Sequence, residues 1–366
     1  MSPADISLFS PLTLRSITMR NRLWVAPMCQ YEVVKQDGVP TEWHLVHLGS
    51  FARGGAGLVM TEATAVSPEG RISGEDTGIY TDEQRDAWSR IVDFIHAQGA
   101  PAGIQLAHAG RKGSRWREWL PDEGTRPVDA GGWRTVAPSE IPFEGYDTPI
   151  ALDLAGIDAV VADFAAAARR AVEAGFDVVE VHAAHGYLIH QFLSPLSNRR
   201  TDAYGGSLDN RSRLLLRVIE AVREAIGPDR ALFVRLSATD WADEGWSPDE
   251  TAIVASAAHE LGADLFDIST GGTLASPTIP LSPGYQVPFA AAIREATGAP
   301  VSAVGLITTS LLANEVIASG QADAVMMGRK LLRDPHFALR AALELGVDID
   351  YWPKNYDRAR TTLARW

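Results

Sequence analysis

Two histidines and a tyrosine follow a short, mainly apolar stretch in the middle of the chain. His182, His185 and Tyr187 come directly after Val178–Val181, a run typical of a buried strand. Because His182 and His185 are three residues apart, they cannot share one face of a strand, and the chain must turn between them. An imidazole N–H can donate to an oxygen that gains negative charge, and a phenol can release a proton. The three side chains therefore suit a reaction that builds charge on a carbonyl oxygen and then protonates a carbon.

Other roles for the two histidines stay open at this point. They could bind a metal, although no HExxH helix frames them and no third ligand is evident, so we predict no metal site. They could also be buried structural histidines, and these residues alone do not decide between that role and catalysis.

Composition narrows the class of protein. The chain has 366 residues, 46% of them hydrophobic, which suffices for one large core or two ordinary domains. A net charge of -13 disfavours binding to nucleic acid or to anionic membranes. A single cysteine excludes an intrachain disulfide and favours a reducing compartment. No secretory signal and no apolar run of about 20 residues is found, so we expect a soluble, cytoplasmic protein.

Strand and helix patterns alternate along most of the chain. A short hairpin over residues 8–21 comes first, and helical patterns then separate the apolar runs Leu23–Cys29, Gly57–Ala63, Ala102–His108, Val178–Val181, Leu232–Leu236, Leu265–Ser269, Val301–Val304 and Ala324–Met327. Such continuous apolar strands are typical of a parallel sheet covered on both faces. Eight strand–helix units predict one α/β domain over residues 1–346, a closed (β/α)8 TIM barrel. A doubly wound sheet is the alternative, but no GxGxxG follows the first strand.

Two segments depart from this alternation. Residues 111–152, after the third strand, are too many for an ordinary connection and rich in Gly, Pro and Trp. They predict a lid over the barrel mouth, with a surface insertion lacking a function as the alternative. The tail, residues 347–366, carries Tyr351, Trp352 and Arg358. Aromatic side chains are costly to leave in water, so we expect the tail to pack at a subunit interface.

Catalytic groups of such a barrel lie at the C-terminal ends of its strands. Candidates at or near those ends, besides the central trio, are Cys29, Tyr31, Ala63, Gln105, His108, Arg235, Gly305, Gly328 and Arg329. Gly305 and Gly328 would let a phosphate approach backbone N–H groups, and Arg329 could add a charge-assisted hydrogen bond. Plain turn glycines are the alternative for these two positions.

Gln105 and Arg235 lie deep enough on their strands to meet a planar heterocycle. A glutamine amide can pair with a ring edge that offers both a donor and an acceptor, and an arginine can stabilise negative charge on a reduced ring. A structural salt bridge is the alternative for Arg235, since an unpaired buried charge is costly. A small core residue is the alternative for Cys29.

Several motifs of the chain resemble those of the old yellow enzymes. They are Asn21-Arg22, Ala26–Cys29, Gln105–Lys112, His182–Leu188, Phe192–Pro195, Asn198 with Arg200–Asp202, and Tyr204–Arg211. The resemblance extends over about residues 6–346. Cys29 and Tyr31 point to the thermophilic-like, or classical bacterial, ene-reductase branch of that family.

The resemblance implies a TIM barrel that binds FMN non-covalently and transfers hydride from NADPH or NADH to the β-carbon of activated alkenes, α,β-unsaturated carbonyl or nitro compounds. It assigns flavin contacts to Ala26, Pro27, Met28, Cys29, Ala63, Gln105 and Arg235, and the phosphate region to Gly305, Gly328 and Arg329. His182 and His185 would bind the substrate carbonyl oxygen, and Tyr187 would protonate the α-carbon. Tyr31 would touch substrate, and Cys29 would adjust the flavin potential.

The same resemblance implies a homodimer or homotetramer in which a tail arginine enters the neighbouring active site. Arg358 matches that position, with Arg360 or Trp366 as alternatives because more chain follows. Two other classes of function remain: a metal-dependent lyase or aldolase using His182 and His185, and a non-catalytic barrel that binds a phosphorylated ligand.

Overall fold

The computed structural model describes residues 6–362, with side chains to residue 360. A short antiparallel hairpin closes one end of the molecule. Strand β1 (Leu12–Leu14) pairs with β2 (Ile17–Met19). Leu14 and Met19 are buried in the apolar cluster that also contains Trp24. The hairpin therefore plugs the bottom of the structure that follows it.

Eight parallel strands close into a barrel. They are β3 (Leu23–Val25), β4 (Leu58–Ala65), β5 (Ala102–Ala107), β8 (Val178–Ala183), β9 (Ala231–Ser237), β10 (Leu265–Ser269), β11 (Val301–Ala303) and β12 (Ala324–Met327), while β6 (Val136–Ala137) and β7 (Ile150–Ala151) lie outside the barrel. The last strand pairs with the first, β12 with β3, so the sheet has no free edge. The predicted (β/α)8 barrel is confirmed, and the doubly wound alternative is wrong.

Helices cover the outside of the barrel. They are α1 (Glu42–Arg53), α2 (Asp82–Ala97), α3 (Leu154–Glu173), α5 (Leu208–Ile226), α6 (Pro248–Glu260), α7 (Val287–Thr297), α8 (Ser310–Ala318) and α10 (Phe337–Glu344), with three short helices α4 (Leu188–Leu193), α9 (Arg329–Arg333) and α11 (Asp357–Thr362). Helix α3 begins at Leu154, because the Asp153 carboxylate accepts the Gly156 N–H at 2.7 Å and caps the helix there. Within the described range, 6–362, no helix has the length and apolarity needed to cross a membrane.

The barrel interior changes character along its axis. Its lower half is apolar, where Trp24 and Phe233 stack with ring centroids 5.7 Å apart. Its upper half holds the buried side chains of Glu180, Arg235 and Asp267. Polar groups are thus concentrated toward the C-terminal ends of the strands, where function is expected.

The excursion, residues 111–152, lies between β5 and α3 and carries the small parallel sheet β6–β7. Arg111 ties its base to the barrel, since its Nη atoms donate to the carbonyl oxygens of Ile141 and Thr273. Trp119, 57% exposed, contacts the Tyr31 ring edge-on at 5.8 Å. This segment therefore covers one side of the barrel mouth.

The tail packs on its own barrel near the hairpin. The Asn21 amide donates to the Tyr351 hydroxyl at 3.0 Å, and the Arg20 guanidinium lies 4.5 Å from the centre of the Tyr351 ring. Tyr356 contacts His336 edge-on at 5.7 Å. The predicted contact with another subunit stays a prediction, and Trp366 lies outside the described residues.

Removing the stacked ring at the centre of the apolar half should destabilise the protein strongly. Phe233→Ala leaves a cavity next to Trp24, and we expect the free energy of unfolding to fall by about 3–5 kcal/mol. Ile253→Ala, at a side chain 59% exposed on α6, is the control and should change it by less than about 0.5 kcal/mol. Urea unfolding followed by fluorescence measures both. Similar midpoints for the two variants would contradict this account of the core.

Candidate active site

A cavity of about 460 Å³ opens at the C-terminal ends of the barrel strands. Predicted flavin contacts in its wall are Ala26, Pro27, Met28, Arg235, Gly305, Gly328 and Arg329. His185 and Ser269 also line it. Cys29 and Ala63 pack instead in a small apolar cluster with Tyr187, and Gln105 is buried within β5. The strand ends therefore bring most of the predicted residues around one cavity.

One end of the cavity suits a phosphate. Gly305 has φ +118°, and a side chain there would come within 2.8 Å of the Gln286 amide nitrogen. A side chain at Gly328 would come within 3.3 Å of the Met28 sulfur. Because neither residue has a side chain, a ligand can approach the backbone groups at both positions. Arg329 also lines the cavity and supplies positive charge next to Gly328. These residues fit the phosphate arm of FMN.

His182 is a neutral hydrogen-bond donor. It lies one residue before the end of β8, on the same face of the strand as Glu180, and is 3% exposed. Burial holds the pKa of His182 well below its usual value, and the positive charge of Arg235 lowers it further. Its Nδ1 accepts the Ala184 N–H at 3.3 Å, so the ring proton of the neutral form lies on Nε2.

His185 reaches the same place through a strained turn. Its φ is +58°, in the left-handed region, and its carbonyl oxygen accepts from Lys112 Nζ at 2.9 Å. The ring centroid lies 5.1 Å from that of His182, and Nε2 lies 2.6 Å from Ser269 Oγ. Burial, followed by Arg235, lowers the pKa of His185 well below its usual value. Both imidazoles are therefore neutral at physiological pH.

A second buried pair holds this turn in place. His190 Nδ1 accepts the Gly186 N–H at 2.9 Å, and His190 Nε2 lies 3.3 Å from Asp240 Oδ1. Burial raises the pKa of Asp240, but His190 and the donors Ser194 and Trp246 outweigh it, and the net pKa is lowered. The carboxylate thus anchors His190, which fixes the backbone between the two active-site imidazoles and Tyr187.

Tyr187 is kept protonated beside the imidazoles. Its ring centroid lies 5.0 Å from that of His182. Burial, with smaller contributions from Cys29 and Asp76, raises the pKa of the phenol. Lys112 Nζ lies 5.1 Å from the centre of the same ring. The phenol is therefore an acid in its proton-bearing form at neutral pH.

Cys29 and Tyr31 lie on the loop that follows β3. Burial, followed by Asp76 and Glu62, raises the pKa of the Cys29 thiol, so the side chain is a neutral thiol and a poor nucleophile. Tyr31 has φ +55°. A hydrogen bond to β4 fixes the position of this loop, because Glu62 Oε2 accepts the Gln30 N–H at 2.9 Å.

Gln105 and Arg235 both have carboxyl partners. Gln105 Nε2 donates to Glu180 Oε1 at 2.7 Å, and Arg235 Nε lies 2.8 Å from Asp267 Oδ2. The salt bridge considered as an alternative for Arg235 is therefore present. It does not exclude ligand binding, because a guanidinium has five N–H donors and Arg235 also lines the cavity.

The remaining candidates lie elsewhere. His108 has a local structural contact, since its Nδ1 accepts the Gly110 N–H at 3.1 Å. Arg358 is exposed on α11, away from the cavity of its own chain, and Arg360 pairs with Asp348. Among the residues with a described structure, no three His, Cys, Asp or Glu side chains are grouped to hold a metal ion.

Sequence reasoning missed Ser269, Lys112, Asp240 and Glu180 as parts of the site. Ser269 ends a barrel strand, so the same survey of strand ends could have found it. Lys112 belongs to a motif already noted, but its contact with the His185 carbonyl links distant parts of the chain. Asp240 and Glu180 carry no motif, and only their packing shows what they do.

Comparison with known proteins agrees with this geometry. Residues 7–347 match the NADH:flavin oxidoreductase / NADH oxidase family. An NADPH dehydrogenase of Listeria innocua is 48% identical over 353 residues, which cover 96% of this chain and 98% of that protein.

Solved structures give the same result. Morphinone reductase in complex with tetrahydroNAD is 30% identical, with a TM-score of 0.77 over 94% of this chain and 92% of that one. An old yellow enzyme homologue from Zymomonas mobilis is 30% identical, with a TM-score of 0.77 over 98% and 99% of the two chains. The resemblance to the old yellow enzymes is confirmed: this chain belongs to the NADH:flavin oxidoreductase / NADH oxidase family and is an FMN-dependent oxidoreductase that takes hydride from a nicotinamide.

Proposed function

We propose that this protein is an ene-reductase that reduces α,β-unsaturated carbonyl or nitro compounds with hydride from NADPH or NADH. The observation that carries the proposal is the pair of neutral imidazoles, 5.1 Å apart, with a protonated phenol 5.0 Å from one of them. FMN, when bound, supplies the hydride transfer between nicotinamide and alkene. The protein then has to bind the substrate oxygen, orient the alkene and deliver a proton.

The two imidazoles bind the substrate oxygen in this proposal. Hydride arriving at the β-carbon leaves negative charge on that oxygen, and the His182 Nε2–H would donate to it. His185 donates through Nδ1 when Ser269 donates to its Nε2, as their 2.6 Å separation permits. Each such donor, already oriented in a site with little water, typically lowers a barrier by about 3–4 kcal/mol.

Tyr187 delivers the proton to the α-carbon. A phenol whose pKa is raised by burial holds its proton until a strong base, such as an enolate carbon, is next to it. Lys112 lies over the ring, and burial, followed by Arg111 and Arg115, lowers its pKa to about 7. The ammonium form of Lys112 would stabilise the phenolate that remains after proton transfer.

Residues of the cavity wall, together with Gln105 and Cys29, would hold the cofactor. Arg329 and the backbone at Gly305 and Gly328 would bind the phosphate, while Gln105 and Arg235 would meet the polar edge of the ring. Cys29, a neutral thiol on the loop after β3, would contact the ring and adjust its potential. For Arg235, Arg329 and the two glycines this assignment rests on the chemistry of the cavity wall. For Gln105 and Cys29, which do not line the cavity, it rests on the family resemblance and its cofactor.

The proposed activity has a direct spectroscopic test. Purified protein should be yellow, its flavin absorption should bleach with NADPH under anaerobic conditions, and cyclohexenone should restore it. Cyclohexanone, which lacks the alkene, is the matched control and should not. Colourless protein that does not take up FMN would end the proposal, and flavin that bleaches but ignores a panel of enones and nitroalkenes would exclude the ene-reductase activity.

Tyr187→Phe should separate the two half-reactions. We expect alkene reduction to slow by about 10²–10⁴-fold, because the general acid is lost, while flavin reduction by NADPH keeps its rate. Stopped-flow absorbance measures both rates. Tyr204→Phe, which removes a hydroxyl that Arg217 contacts on the outside of the barrel, is the control. Equal slowing of the two half-reactions by Tyr187→Phe would show that the residue is not the proton donor.

Phenols test the oxygen site, because a bound phenolate resembles the enolate. We expect His182→Ala to weaken binding of 4-hydroxybenzaldehyde by about tenfold or more, since a hydrogen bond to a charged oxygen is lost. Titration of the flavin spectrum gives the Kd. His96→Ala, which removes an imidazole paired with Asp177 on the surface, should leave it unchanged. An unaltered Kd for His182→Ala would remove His182 from the oxygen site.

A further inference from the structure

Four polar side chains form a layer inside the upper half of the barrel. This charged layer consists of Gln105, Glu180, Arg235 and Asp267, on β5, β8, β9 and β10. Their relative exposures are 1%, 0%, 6% and 0%, so water does not reach the carboxyl groups. Gln105 is in register with Glu180, and Arg235 with Asp267, which places each pair side by side.

The two carboxyl groups of the layer are satisfied unequally. Asp267 Oδ2 lies 2.8 Å from Arg235 Nε, and Asp267 Oδ1 accepts from Ser302 Oγ at 2.9 Å. Glu180 Oε1 accepts from Gln105 Nε2 at 2.7 Å, but Glu180 Oε2 is buried without a hydrogen-bond partner among the described residues. Asp267 Oδ2 and Arg235 Nε form an ion pair without hydrogen-bond geometry, and burial raises the pKa of Asp267 as well. Asp267 nevertheless has the guanidinium as a partner for this oxygen, whereas Glu180 Oε2 has none among the described residues and is open to carry a proton.

Charge balance leads to the same assignment. Two ionised carboxylates and one guanidinium would leave one uncompensated buried negative charge, which costs several kcal/mol. The other groups that face Glu180 do not supply positive charge: Gln105 is an amide, and His182, two residues along the same strand, is neutral. Burial, followed by Asp267, raises the pKa of Glu180 to about 8, although Arg235 and Gln105 oppose the shift.

We propose that Glu180, where it is ionised in the oxidised protein, takes up a proton when reduction of the flavin places negative charge beside Arg235. The inference rests on the proposed position of the flavin ring against Gln105 and Arg235. An ionised Asp267, an ionised Glu180 and the negatively charged reduced ring would all depend on the single positive charge of Arg235. Protonation of Glu180 removes one of these competing charges, so the two events favour each other.

The atoms and electrons of the step balance. Reduction by NADPH transfers two electrons and one proton, as hydride, to the flavin. Where Glu180 is ionised before reduction, one further proton comes from solvent and forms an O–H bond at Glu180 Oε2, and no other bond changes. Glu180 touches neither substrate nor reacting atoms, so it is a positioning residue: it acts through the charge available at Arg235 and the orientation of the Gln105 amide.

The midpoint potential of the bound flavin, measured against pH from 6 to 10, tests the proposal. Below about pH 8 Glu180 is protonated in both redox states, and uptake of one proton per two electrons lowers the potential by about 30 mV per pH unit. Above about pH 8 it is ionised only in the oxidised protein, a second proton is taken up, and the slope becomes about 59 mV per pH unit. A single slope across the whole range would overturn the proposal.

Two variants identify the group responsible. Glu180→Gln keeps the shape of the side chain without its proton exchange and should show one slope of about 30 mV per pH unit. Asp76→Asn is the matched control, because Asp76 is another buried carboxyl, and burial, followed by Glu62, raises its pKa to about 7. It should keep the change of slope. A change of slope that survives in Glu180→Gln, or disappears in Asp76→Asn, would reject Glu180 as the group.

A second measurement uses the protein without any substitution, so it does not depend on whether a variant folds. The infrared band of a protonated carboxyl group in the oxidised holoprotein should titrate away with a midpoint near pH 8 and should reappear above that pH when the flavin is reduced. Absence of the reappearing band would contradict the proposal. Protein whose flavin NADPH reduces, but which shows neither effect, would refute only this inference. Protein that reduces no alkene yet shows both effects would refute only the ene-reductase activity.

Discussion

The burial of the titratable side chains around Arg235 governs the ionisation of the site. A single guanidinium in a medium of low dielectric lowers the pKa of both active-site imidazoles, which burial has already lowered. The same burial keeps the Tyr187 phenol and the Cys29 thiol protonated. The site therefore offers hydrogen-bond donors and an acid at neutral pH, and the imidazoles and the phenol that supply them are themselves uncharged. A substrate oxygen that becomes negative would therefore meet neutral hydrogen-bond donors, which do not have to break an ion pair before they bind it.

The two halves of the barrel interior make this arrangement possible. The lower half, closed by the hairpin and filled by Trp24 and Phe233, supplies apolar packing. The upper half offsets part of that stability, because the burial of Glu180, Arg235 and Asp267 costs free energy unless each is paired. Segregation along the axis allows one barrel to be both stable at its base and polar at its mouth.

The excursion after β5 does more than cover the mouth. Lys112, at its start, donates to the carbonyl oxygens of His185 and Gly272, and so supports a backbone turn with φ +58° at His185. Nothing but backbone fits at Gly272, since a side chain there would come within 2.4 Å of His185. The excursion and the position of one imidazole are therefore linked through two hydrogen bonds.

The sequence by itself determined the barrel, the eight strands and the residues at most of their ends, because apolar runs and their spacing are local properties of the chain. It also determined that His182 and His185 leave a strand through a turn, since their spacing forbids a shared face. Only the tertiary structure decided that Ser269 meets His185, that Arg235 both pairs with Asp267 and lines the cavity, and that Glu180 lacks a second partner. These facts depend on strand register and on distances between residues far apart in the chain. Burial and neighbouring charge, which set each ionisation state, arise only when the barrel closes.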